Sequence, residues 1–161
     1  MGDRAAGGFR IVEAGLDDPR VGALVDRHVA TSRAQTGAGS AHSLAIESLR
    51  TPDIRFWSLW DGDDLVAIGA LRRLSDMHGE IKSMHVAEAR RGQGAGGAML
   101  ATIVEAARAA GVARLSLETG SWDYFRPAHA LYRQHGFVEC AAFEGYAPDP
   151  NSLFFTRAID G

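Results

Sequence analysis

The chain has 161 residues, 46% hydrophobic and 23% charged, enough for one ordinary globular domain with a buried core, and this composition excludes collagen-like, coiled-coil and globally disordered classes. A net charge of −3 and a sequence pI near 6.0 leave no electrostatic footprint for a phosphate backbone, so nucleic acid is set aside as a partner. Cys140 is the only cysteine, which excludes an intramolecular disulfide and a cysteine-based zinc site and suits a reducing compartment.

In chain order, FRIVEA (9–14) predicts a first strand, and residues 17–35 space Val21, Leu24, Val25 and His28 along one helical face, with Asp17 or Asp18 as the cap. After TGAGS a shorter helix, HSLAIESL, ends before Thr51-Pro52. RFWSLW, DGDD and LVAIGALRRL read as strand, tight turn and strand. Within that first strand Trp57 is expected in the core and Trp60 at its rim. EIKSMHV (80–86) is the fourth strand. GGAMLATIVEAARAAG is an amphipathic helix, ARLSLET the fifth strand, PAHALYRQHG a short helix, and FVECAAF and SLFFTRAI the last two strands. MGDRAAGGF has no apolar leader core and no apolar run reaches a membrane span, so a soluble, cytoplasmic protein with no membrane partner is expected.

The chemistry concentrates in RRGQGAGGAML (90–100). Gly92, Gly94 and Gly97 spell a dinucleotide GxGxxG, with Glu118 at about the expected distance. A dinucleotide fold places that motif at its first strand-to-helix turn and then needs several more crossover units. Here hairpin-type strands precede the loop and a single further crossover follows it, which disfavours a nicotinamide enzyme. The alternative physics holds under either label: glycines let backbone approach an anion, and the next helix opens with unbonded amides.

The residues from Glu80 to Phe137 resemble the GCN5-related N-acetyltransferase (GNAT) family, and the match extends over nearly the whole chain. Arg91 to Gly96 matches its R/QxxGxG/A coenzyme A loop, ALYRQHGF matches its ALYxxxGF signature, and LSLETGSWDYFRPAHALYRQHGF is similar to small bacterial acetyltransferases of poorly defined substrate. The resemblance implies a single α/β domain spanning 1–161: a mixed, mostly antiparallel sheet with helices on both faces and splayed fourth and fifth strands. It implies acetyl-CoA as cosubstrate, a primary amine of a small molecule or peptide as acceptor, no metal, and a homodimer by analogy. Arg91, Gly92, Gln93, Gly94, Ala95 and Gly96 would hold the pyrophosphate, and Met84, His85 and Val86 the pantetheine arm. Tyr132 would protonate the departing thiolate. Glu80 would be the base, with His85 and Glu118 as rivals; a structural pairing of Glu80 with Lys82 is the competing reading. His42, Glu118, Trp122 and Phe125 would shape the acceptor pocket, and Phe125 replaces an asparagine that family members often carry there. A catalytically silent coenzyme-binding sensor is the alternative function.

Overall fold

A computed structural model describes residues 3–4, 8–36, 46–143 and 145–159. They form one mixed sheet from β1 (Arg10–Glu13), β2 (Ile54–Asp61), β3 (Asp64–Arg73), β4 (His78–Val86), β5 (Arg114–Gly120), β6 (Val138–Cys140) and β7 (Ser152–Ala158), with a two-residue ladder, Asp3–Arg4, along the outer edge of β1. The strands lie in the order β1-β2-β3-β4-β5-β7-β6, and only β4 and β5 run parallel. Helices α1 (Pro19–Thr36), α2 (Ala95–Ala109) and α3 (Arg126–Gln134) cover the sheet. This is the α/β architecture expected from the sequence. Of the expected helix before Thr51, residues 42–45, His42 among them, lie outside the described residues, and Ile46–Arg50 form a 3-10 turn.

Local chemistry explains the elements. The Asp18 carboxylate accepts the Arg20 amide at 2.9 Å and caps α1, whose Val21, Leu24 and Val25 pack with Phe56, Trp60, Ile68 and Ala70 on one face of the sheet. Met99, Leu100, Ile103 and Ala107 of α2 pack with Trp57, Leu59, Val66 and Leu71 on the other. Trp57 and Trp60 therefore both sit in core, on opposite faces. The rim position expected for Trp60 is not found, because a bulge between Leu59 and Trp60 and the guanidinium of Arg20 over its ring close that side. β6 is shorter than FVECAAF predicts. Phe143 leaves the sheet to meet Tyr146 and Phe154 at ring separations of 5.0 and 5.7 Å.

Two irregularities position the site. The β4–β5 ladder ends at Ile81↔Leu117, although both strands continue. On the other side of β4, register runs through Ala70↔Lys82 and resumes at Ile68↔His85, so one residue of β3, Gly69, faces two of β4, Ser83 and Met84. This is a β-bulge, and Ser83 within it takes the left-handed conformation with φ of 54°. Across the bulge Gly69 admits α2: a Cβ there would lie 2.9 Å from Met99 and 3.0 Å from Ile103. Gly69→Ala is expected to destabilise by about 1–3 kcal/mol through overpacking, read as a lower urea midpoint with an unchanged slope.

Candidate active site

Where β4 and β5 part, a cleft of about 490 Å³ opens between residues 82–86 of one and 118–120 of the other. At its end stands the start of α2. Gly92 and Gly94 have φ of 79° and 86°, and a Cβ on either would meet nothing within 4 Å, so backbone faces open space there. The helix has no side-chain cap. Its first intrahelical bond runs from the Ala98 amide to the Gly94 carbonyl, so the amides of Ala95, Gly96 and Gly97 have no acceptor within the helix. Three unbonded donors and the positive end of a helix dipole favour an anion. Arg91 adds a formal charge and donates to the Tyr124 hydroxyl at 2.9 Å.

The loop is braced from behind. Arg90 forks to Asp61 and Asp64 at 2.5 Å each and donates to the Gln93 side chain at 2.9 Å, tying the glycine turn to the β2–β3 hairpin.

The long wall of the cleft is polar and buried. Glu80 is 1% exposed; its Oε2 accepts from Lys82 Nζ at 3.2 Å and from the Tyr146 hydroxyl at 2.5 Å, and Lys82 Nζ also donates to that hydroxyl at 3.0 Å. Glu80 Oε1 and Ser83 Oγ are buried with no hydrogen-bond partner. Orphaned buried acceptors cost free energy, so their presence beside a cleft points to a ligand donor. Burial, then the Glu80 carboxylate against it, holds the Tyr146 hydroxyl far above the ordinary phenol range, so it donates. On β5, Glu118 accepts from Ser152 Oγ at 2.5 Å. Tyr132 of α3 packs against Phe137 and Phe155, and burial pushes its hydroxyl up to about 12. It remains a protonated donor across the physiological range.

Opposite the glycine loop, His28 of α1 and His85 of β4 face each other with their Nδ1 atoms 3.1 Å apart. Such a contact requires one ring to donate and the other to accept, so the accepting ring is neutral there. Burial pushes His28 down to about 4, and burial followed by the neighbouring His28, Arg91 and Arg27 pushes His85 to about 3.

The model of the Acetyltransferase (GNAT) family matches residues 22–137. This chain is a member of that family. It is 43% identical to the uncharacterized N-acetyltransferase YsnE of Bacillus subtilis over 89% of this chain and 95% of that one. It is 40% identical to the uncharacterized N-acetyltransferase YedL of Escherichia coli over 94% and 95% of the two chains. Its fold matches the crystal structure of an aminoglycoside 6'-N-acetyltransferase complexed with coenzyme A, with a TM-score of 0.69, 15% identity and coverage of 92% and 96%. The family and these relatives make the protein an acetyltransferase.

This GNAT cleft gathers most of the residues expected from the sequence. Tyr132, Glu80, Glu118 and Phe125 line it, as do Met84, His85 and Val86 and all of residues 91–96 except Gln93. The Gln93 side chain is engaged by Arg90, and Trp122 is 48% exposed outside the cleft. Gly96 has a second task, since a Cβ there would sit 2.9 Å from Leu131 of α3. The Glu80–Lys82 pairing expected as a structural alternative is present. Two participants were not singled out by sequence: Tyr146, and His28, which the helical pattern assigned to a packing face. No helix among the described residues is long and apolar enough to cross a membrane.

The histidine pair makes a stability prediction. Both folded-state values lie below the ordinary imidazole value, so as pH falls through about 6.5 the unfolded chain binds protons that the folded chain refuses until about 4. Stability is expected to be full above pH 6.5 and to fall from there toward pH 4. Melting temperatures across this window should decline less steeply in His28→Leu.

Proposed function

We propose that the protein transfers the acetyl group of acetyl-CoA to a primary amine of a small molecule or peptide by direct attack. The observation that carries this reading is the unzipped β4–β5 pair opening directly onto a helix start with three free amides. The chain's residues fit the coenzyme. The open space at Gly92 and Gly94 and the amides of Ala95, Gly96 and Gly97 suit a pyrophosphate, while the β4 edge past Ile81 is free to hydrogen-bond the pantetheine amides as an added strand. Acetyl-CoA supplies the activated acyl group and a thiolate leaving group.

The protein's own groups supply the rest. An amine arrives as an ammonium without a lone pair, and Glu80 accepts its proton, directly or through one water. A backbone N–H of Met84–Val86, beyond the last β4–β5 pair, steadies the oxygen on which negative charge develops. Tyr132, kept protonated by burial, gives its proton to the departing sulfur. Cys140 lies outside the cleft and burial, the largest influence on it, raises its thiol above the ordinary range, which supports direct attack over a covalent acyl-enzyme. Away from the Arg91 end of the cleft, Glu80 and Glu118 stand against one Lys82, which favours a cationic acceptor there.

The test is acetyl-CoA-dependent thiol release over a panel of free amino acids, a peptide with a free N-terminus, spermidine and tryptamine. Tight coenzyme binding without release from any amine would favour the silent sensor. Gly94→Glu places a carboxylate and a strained backbone at the anion site and should weaken coenzyme A binding at least tenfold by calorimetry. Tyr132→Phe should lower kcat roughly tenfold or more with KM for acetyl-CoA unchanged, and an unaltered kcat would remove its assignment.

A further inference from the structure

We infer that Tyr146 is a positioning residue that sets the orientation of the Glu80 carboxylate; this rests on the reading of Glu80 as the base. The two are 66 residues apart in sequence and 2.5 Å apart in space. Glu80 has two carboxylate oxygens with different fates. Oε2 takes both available donors, Lys82 Nζ and the Tyr146 hydroxyl, while Oε1 lines no hydrogen bond and is buried beside the cleft. Two donors on one oxygen fix the carboxylate plane, and they leave the other oxygen as the atom able to receive a proton from an incoming ammonium or water.

Lys82 alone would not accomplish this. It is the only lysine in the sequence, its side chain is 8% exposed, and its flexible stem defines no unique direction. Tyr146 supplies the direction. Its ring is held by Phe143 and Phe154 at 5.0 and 5.6 Å, and Lys82 Nζ lies 5.6 Å from the ring centroid, so the hydroxyl is fixed from two sides. The charges around the triad are Lys82 on β4, Glu118 on β5, and Arg72 on β3, the last engaged with Asp53. Among the described residues only Lys82 shares Glu80 Oε2 with the phenol. Tyr146 comes from the loop between β6 and β7, so the same loop that closes one side of the acceptor end also holds the base.

A double-mutant cycle separates positioning from general support. Using acetyl-CoA and the fastest acceptor of the panel, Tyr146→Phe should lower kcat ten- to a hundredfold, the range for losing a hydrogen bond to a charged group, with coenzyme A affinity and melting temperature retained. Glu80→Gln should lower kcat roughly a hundredfold or more. In the Glu80→Gln background, Tyr146→Phe should have no further effect, because a residue that acts through Glu80 has nothing left to act on. Losses that multiply, or an unchanged kcat in Tyr146→Phe alone, overturn the inference and leave Glu80 as the base. Full turnover in Glu80→Gln removes the base itself and the inference with it.

Discussion

Everything at this site follows from where two parallel strands stop pairing. β4 and β5 share four residue pairs and then diverge, leaving backbone donors and acceptors on β4 without a strand partner. Buried strand edges are costly and are normally paired, covered or blunted. Here the edge is kept open by two local devices. The extra residue at Ser83 twists β4 away from its neighbour, and the α2 start plugs the far end with glycines instead of side chains. Under the proposed function an extended, amide-bearing ligand with an anionic end completes the sheet along this edge.

The fold was legible because its periodicities are strong. α1 and α2 show three-and-four spacing, and the Asp61 to Asp64 turn joins adjacent strands, so neighbouring elements could be placed without long-range information. The glycine loop was legible for a similar reason, since positive-φ positions and amide-rich turns are written locally. What escaped were contacts across long separations. His28 looks like a member of an apolar helical face, and nothing within its helix announces that residue 85 lies opposite it. Tyr146 stands among Gly, Ala and Pro and reads as loop. Gln93 is different: it is expected to bind through its backbone amide, and its side chain is engaged by Arg90 three residues away.

The buried polar wall also has a thermodynamic character. A carboxylate and an ammonium removed from water repay little of their desolvation unless every lone pair is engaged, and Glu80 leaves one oxygen unengaged. The cluster is therefore weak support for stability. Its cost is more naturally understood as preorganisation, in which the fold maintains, before any ligand arrives, an electrostatic arrangement that water would otherwise randomise.

The distribution of amines in this sequence has a further consequence. All but one of its 17 basic residues are arginine, and the single lysine is enclosed beside Glu80. Thioesters slowly acylate exposed lysine side chains, whereas guanidinium groups stay charged and unreactive at neutral pH. Under the proposed acetyl-CoA chemistry the chain thus presents its acyl donor with almost no nucleophile of its own, and its surface charge is insulated from chemical drift.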